Sequence, residues 1–243
     1  MTTTVTPPLR RAALPALRPE HRPLVLPGQA APGIAHLGLG AFFRAHQAVY
    51  TEEALAAAGG DWGIVAVAPR SRAVVDALRA QDLLYSVTAA DADRTEVRVV
   101  GALAGVRHAA ADPLGVVALL ADPRIRIVTL TVTEKAYALR PADGRLLLDA
   151  ELRADLCTDR PPRTLPGLLV RGLLARARAD AGPLAVVSCD NLPANGARLR
   201  GMVTQAVRAA GAPEDWIAAH VTFPGTTVDR IVPASTPETS ARA

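Results

Sequence analysis

The sequence predicts an α/β fold: a mostly parallel sheet with helices on both faces. Three observations carry this. Short apolar runs suited to buried strands alternate with helix-length segments along most of the 243 residues. Half of the residues are hydrophobic (50%) and 21% are charged, which supplies a sizeable core. Aromatics make up only 3%, so that core must be built from Ala, Val, Leu and Ile.

Residues 1–30 are interrupted by Pro7, Pro8, Pro15, Pro19, Pro23 and Pro27 and read as an arm or extended lead-in, not an element of the core. The ordered domain is expected over 31–236, with 237–243 as a tail. Its first strand is Gly33-Ile34-Ala35-His36-Leu37-Gly38, followed by a helix from Arg44 to Ala58 that Gly59-Gly60 stops. Trp62 to Ala68 is a second buried strand, and a helix follows from about Arg72 to Ala80. Leu84–Ala89 and Glu96–Leu103 flank the turn-like Asp91-Ala92-Asp93 and predict an antiparallel ribbon inserted in the sheet. Pro113–Leu120 is a helix with Asp112 as N-cap, and Ile125–Val132 is the clearest strand. A helix over Arg163–Asp180, a strand over Leu184–Ser188 and a helix over Ala194–Ala210, closed by Gly211, complete the pattern.

The first strand runs into Gly38-Leu39-Gly40-Ala41-Phe42-Phe43-Arg44. Two glycines between a strand and a helix let the backbone approach a pyrophosphate. Phe43 stands where the usual fingerprint has a third glycine, so on this feature alone a methyltransferase or a plain tight turn fits as well. The second strand ends in Ala68-Pro69-Arg70-Ser71-Arg72, with no carboxylate before Asp76. A carboxylate there would favour NAD, whereas Arg70 and Arg72 suit the 2′-phosphate of NADP; a solvated basic loop is the plain alternative. Polar residues cluster past two further strands, at Thr131-Val132-Thr133-Glu134 and at Ser188-Cys189-Asp190-Asn191. Ligands bind at that carboxyl edge in open α/β folds, although either cluster alone would serve as a helix cap or Asx turn. Val228-Asp229-Arg230-Ile231 places a charged pair in an apolar segment, where a buried salt bridge is the simple reading.

Several chemistries are excluded. There is no phosphate loop, H-E-x-x-H, G-x-S-x-G or Tyr-x-x-x-Lys, and the five histidines lack metal-ligand spacing, so no metal is expected. Cys157 and Cys189 read as free thiols in a reducing cytosol. The net charge is +4, but the arginines are spread along the chain, which argues against a nucleic-acid partner. With no signal peptide and no run long enough for a membrane span, a cytoplasmic protein is expected.

The ordered set GIAHLGLGAFFRAHQAVYTEEAL, WGIVAVAPRSR, QDLLYSV, EVRVVGAL, IRIVTLTVTEKAY, AVVSCDNLPANG, DWIAAHVTFP and TVDRIVPAST resembles the mannitol dehydrogenase family of long-chain polyol dehydrogenases. The resemblance implies a Rossmann-like domain and hydride transfer between NAD or NADP and a polyol, ketose, hexuronate or sugar phosphate. It implies that Asn191 holds the reacting oxygen, Glu134 relays a proton and Asp229 lines the site. Gly38, Gly40, Phe42 and Arg44 would cradle the pyrophosphate, with Arg70, Arg72, Thr133 and Asp190 completing the cofactor set. NAD-preferring members often carry acidic residues where this chain has Arg72-Ala73. The family's catalytic Lys sits in a helical C-terminal domain, expected to begin where this sequence stops; a separate catalytic domain is therefore an expected partner. The alternative is a non-catalytic nucleotide-binding module.

Overall fold

The computed structural model describes residues 9–90, 95–228 and 231–233. Strand β1 (Pro32–Leu37) leads through the glycine turn into a short helix α1 (Ala41–Ala45) and a longer α2 (Gln47–Ala58). The single helix expected from Arg44 is thus two. The break falls at His46, whose φ of −126° and ψ of −84° leave the helical region. Strand β2 (Gly63–Ala68) is buried along its whole length. Helix α3 (Arg72–Ala80) buries Val75 and Leu78 and keeps its polar residues outward. The expected ribbon forms as β3 (Tyr85–Ala90) and β4 (Thr95–Val100), antiparallel with Tyr85 opposite Val100. It is a separate two-stranded sheet, not an insertion into the main one.

Strand β5 (Leu103–His108) follows at once, where the sequence pattern had merged Leu103 into the ribbon. Helix α4 (Pro113–Ala121) is capped by Asp112, whose Oδ1 accepts from Gly115 N at 2.9 Å. Then come β6 (Ile127–Leu130), an unanticipated α5 (Ala150–Cys157), and α6 (Leu165–Arg178), which Thr164 caps. The chain closes with β7 (Leu184–Ser188), α7 (Asn195–Ala209), a short α8 (Asp215–His220) and β8 (Val221–Thr222). Gly211, at φ 64°, sits one residue past the α7 C-cap, as the helix-stop signal predicts.

The main sheet is parallel throughout, in the order β5-β2-β1-β6-β7-β8. The chain starts at the centre, steps outward through β2 and β5, then returns to build the other half from β6. That is the 3-2-1-4-5-6 Rossmann order, and its direction reverses between β1 and β6. Side chains alternate across the sheet as pleating requires. Ala35, Leu37, Val65 and Val67 join a core with α4, α6 and α7, while Ile34, Ile64, Ala66 and Ala68 join a second core with α2 and α3.

Inside the larger core, the fully buried Arg176 donates to the carbonyls of Leu120, Asp122, Ala181, Gly182 and Pro183. It thereby satisfies the loop ends after α4 and α6. Burial pulls the guanidinium down from its ordinary value, and the nearby Asp122 carboxylate opposes this. The described part of the N-terminal arm is docked. Leu14 is buried against Leu84 and Val99 of the ribbon, and Gly28 N donates to Leu103 O at 3.1 Å. The expectation that the arm adds nothing to a core is corrected at Leu14.

Candidate functional site

The glycine turn leaves β1 where the strand order reverses. Gly38 has φ +123°, and a Cβ at that position would lie 1.9 Å from the Thr131 carbonyl oxygen. Only glycine lets the turn pass so close to the end of β6. Gly38 N and Leu39 N both donate to Val67 O of β2, at 3.0 and 3.2 Å. Gly40 is exposed, with only the Gly38 carbonyl oxygen within 4 Å of its Cβ position, at 3.8 Å. Helix α1 has only 5 residues, so its dipole is small. What the turn offers an anion is a close backbone and the N–H groups of Ala41 to Phe43, which have no acceptor inside the helix. Arg44 folds back so that Nη1 donates to Leu39 O at 3.2 Å, while the Tyr85 hydroxyl donates to Arg44 O at 2.9 Å. Phe42 is half-buried and stacks on His46 with centroids 4.9 Å apart.

His36 is fully buried on β1, beneath this turn. Its Nε2 lies 2.9 Å from Gly38 O and 2.9 Å from Thr131 Oγ1, and its Nδ1 lies 2.8 Å from Thr129 Oγ1. A carbonyl oxygen only accepts, so Nε2 carries the hydrogen. Burial draws the imidazole down to about 3, against a weaker opposing pull from the Gly38 carbonyl. It is therefore neutral, and Nδ1 accepts from the Thr129 hydroxyl, which in turn accepts from Gln47 Nε2 at 2.9 Å. The ring stacks on Phe43 with centroids 3.7 Å apart and planes at 11°. This explains the missing third glycine: α1 packs on β1 through a buried ring pair rather than by close backbone contact.

The polar ends of β6 and β7 are tied to each other. Asp190 accepts from Val132 N at 2.7 Å through Oδ1 and from the Tyr137 hydroxyl at 2.5 Å through Oδ2. Ser188 Oγ lies 2.7 Å from the same hydroxyl. Burial pushes the Asp190 carboxyl above its ordinary range, and the Tyr137, Val132 and Ser188 hydrogen bonds oppose it. Burial, helped by Asp190, lifts the Cys189 thiol to about 11, which keeps it protonated and poorly nucleophilic. Thr133, Glu134 and Asn191 stand exposed at this edge. Glu134 pairs with Arg198 of α7 at 3.4 Å. Asp229 lies outside the described residues.

Asn195 is a residue that sequence reasoning missed. It is buried, and its Nδ2 donates to Ser188 O, Asp190 O, Thr226 O and Thr226 Oγ1 at 2.8–3.3 Å. Its Oδ1 accepts from Thr226 N at 3.0 Å and Gly196 N at 2.8 Å. A Cβ on Gly196 would fall 2.6 Å from the carbonyl oxygens of Phe223 and Pro224. One amide and one glycine thus hold the segment after β8 against the end of β7. Asn195→Ala is expected to cost about 2–3 kcal/mol, because buried backbone groups lose their partner. Amide exchange should also accelerate at Thr226 before it does in α4. A melting point within a degree of wild type would refute this.

At the end of β2, Arg70 is exposed, and its carbonyl accepts from His108 Nε2 at 3.0 Å. Arg72 is also exposed and pairs with Asp76 one helical turn on, at 3.3 Å. The first carboxylate after β2 therefore faces Arg72 rather than standing open to a ribose. Among the described residues no cluster of three or more His, Cys, Asp or Glu could hold a metal ion. No described helix is long and apolar enough to cross a membrane.

A parallel sheet in this order, with a glycine turn at the point of reversal and polar residues on the adjoining strand ends, defines a Rossmann-type domain. Its sequence matches the mannitol dehydrogenase Rossmann domain over residues 32–242, and the chain belongs to that family. It is 39% identical over 213 residues to the D-mannonate oxidoreductase of Escherichia coli, covering 85% of this chain and 44% of that protein. It is 41% identical over 215 residues to the polyol:NADP oxidoreductase of Gluconobacter oxydans, covering 85% of this chain and 44% of that protein. The ternary complex of Pseudomonas fluorescens mannitol 2-dehydrogenase with NAD and D-mannitol superposes with a TM-score of 0.90 at 36% identity. The superposition covers 96% of this chain and 49% of that one. The chain spans less than half the length of these curated relatives.

Proposed function

We propose that this chain binds a nicotinamide dinucleotide across the β1/β6 reversal point and serves an oxidoreductase acting on a polyol or its ketose, with hexuronates and sugar phosphates as further candidates. The observation that carries the reading is the glycine turn pressed against the end of β6, where a Cβ at Gly38 would strike Thr131. A turn of that kind brings the backbone of Gly40, Phe42 and Arg44 within reach of a pyrophosphate. Bound there, the cofactor supplies or accepts hydride. Residues 31–236 make up the nucleotide-binding unit in this reading, with 1–30 as an arm and 237–243 as a tail.

The chain's own residues then divide the work. Asn191, exposed past β7, directs amide N–H donors at the oxygen of the reacting carbon, where negative charge develops. An amide cannot take up that oxygen's proton, so a base is required from elsewhere. A helical catalytic domain, in the same or another chain, is the proposed source. Glu134, exposed and held by Arg198, passes the proton on to solvent. Asp229, outside the described residues, is kept as a further candidate for the substrate side. Thr133 adds a hydroxyl on the cofactor side. Asp190, on the cofactor side, holds Val132 and Tyr137 in place, one through each of its oxygens, and keeps further lone pairs for the cofactor.

The test is a titration of the chain with NADH, NADPH and S-adenosylmethionine, followed through Trp62 and Trp216 fluorescence. Saturable quenching by a reduced nicotinamide dinucleotide and none by S-adenosylmethionine is expected; the reverse would overturn the assignment. NADP(H) is expected to bind at least as well as NAD(H), because Arg70 and Arg72 are available to a 2′-phosphate. The Arg72–Asp76 pair is 74% and 55% exposed and exchanges at little cost. Arg72→Ala should lower the NADPH-to-NADH affinity ratio about tenfold, which corresponds to ~1.4 kcal/mol. An unchanged ratio would remove Arg72 from the site.

A further inference from the structure

We propose that His36 is a positioning residue for the nucleotide: its Nε2–H turns the Gly38 carbonyl inward, away from the crevice in which the pyrophosphate would lie. The inference rests on the dinucleotide reading above and adds to it a residue that touches no ligand.

The Gly38–Leu39 peptide unit is held at both ends. Its N–H, on Leu39, donates to Val67 O at 3.2 Å. Its C=O accepts from three donors: His36 Nε2 at 2.9 Å, Thr131 Oγ1 at 2.8 Å and Gly40 N at 2.6 Å. Glycine at φ +123° has no side chain to resist rotation of this unit, so the hydrogen bonds must fix it. Rotated the other way, the carbonyl would present its negative end to an anionic ligand. His36 and Thr131 therefore remove a repulsive dipole from the site as well as holding the turn's shape.

The ring also sets where α1 sits. Its face carries Phe43 at 3.7 Å, and its Nδ1 is fixed by Thr129, itself held by Gln47 at the start of α2. One neutral imidazole thus joins β1, the turn, α1, α2 and β6. None of these partners is charged. The arrangement depends on the position of a hydrogen-bond donor rather than on a salt bridge.

Three variants of the 243-residue chain test this against wild type, with NADH, NADPH and adenosine as probes. His36→Phe keeps the stacked ring and removes both nitrogens. His36→Gln keeps an N–H donor at the reach of Nε2. Thr131→Val removes the second side-chain donor to Gly38 O without touching the ring. His36→Phe is expected to weaken the preferred dinucleotide at least tenfold, His36→Gln to restore it to within threefold of wild type, and Thr131→Val to weaken it severalfold. Adenosine, which has no pyrophosphate, should bind all four proteins alike; a merely looser domain would lose it too. Equal dinucleotide affinity in wild type and His36→Phe overturns the inference, as does failure of His36→Gln to rescue. Should His36→Phe not fold, Thr131→Val decides, and wild-type affinity in that variant counts against it. A wild-type chain that binds neither dinucleotide overturns the dinucleotide reading itself, and this inference with it.

Discussion

Gly38→Ala is expected to be the most damaging single-atom-group change at the site, lowering stability by about 2–6 kcal/mol and abolishing dinucleotide binding. The range combines two costs. A φ of +123° is a conformation that L residues rarely adopt, at about 1–3 kcal/mol. The added methyl would also lie 1.9 Å from the Thr131 carbonyl oxygen and 2.8 Å from its carbon, and such crowding costs about 1–3 kcal/mol when the surroundings yield. They cannot yield cheaply, because Thr131 N donates to Leu37 O at 3.0 Å and β6 lies between β1 and β7. Any relief separates β1 from β6 at the crevice. Gly40→Ala supplies the contrast. Its backbone (φ −91°) is open to any residue, and nothing lies within 3.8 Å of the new methyl. The second variant should keep its melting point within a few degrees while still weakening nucleotide binding, since the methyl occupies the exposed face of the turn. Paired denaturation and NADH titrations read both effects. A Gly38→Ala protein as stable as Gly40→Ala would show that the turn relaxes freely and that Thr131 does not confine it.

How far the sequence reveals this site depends on how local each interaction is. β1, β2, β6 and β7 lie in the sheet interior, and continuous apolar runs such as GIVAVA report that directly. β5 lies at the sheet edge and reads LAGVRH, with Ala and Gly in place of branched residues, so its pattern dissolves into the ribbon before it. α5 has 8 residues and β8 has 2, both too short for periodicity to register. Strand order is set by pairing between distant segments, so periodicity does not show the reversal at β1/β6. Only the family resemblance implies it, and the strand pairing shows it.

The same rule divides the site residues. Gly38 and Gly40 are legible because the strand–turn–helix context is contiguous. His36 reads in the sequence as a lone histidine, since its hydroxyl partners Thr129 and Thr131 are 93 and 95 residues away. Asn195 pairs with Thr226 across 31 residues and looked like one more residue at the start of a helix. The polar run Ser188-Cys189-Asp190-Asn191 was visible, but its division was not: Asp190 faces inward to Tyr137 and Asn191 faces solvent.

The buried imidazole also makes stability depend on pH in a direction that can be worked out. Native His36 is held down at about 3, chiefly by burial, whereas its ordinary value is 6.5. Between those two values the unfolded chain binds one proton more than the native chain. Stability therefore rises with pH across the window and is lost as pH falls through it, by up to about 1.4 kcal/mol per unit. No charged group among its hydrogen-bonding or stacking partners offsets the loss. Many carboxylates titrate in the same range, so the His36 contribution has to be isolated by difference. His36→Gln removes the titrating group and keeps a donor to Gly38 O. Taking urea-unfolding free energies at pH 7 and pH 5, the stability of wild type relative to His36→Gln should fall by about 2 kcal/mol on acidification. The variant is then the protein that tolerates acid better, whichever of the two is more stable at neutral pH. A difference that stays constant between pH 7 and pH 5 would mean that native His36 takes up a proton as readily as the unfolded chain does. The neutral Nε2–H form, and the hold on Gly38 derived from it, would then be wrong.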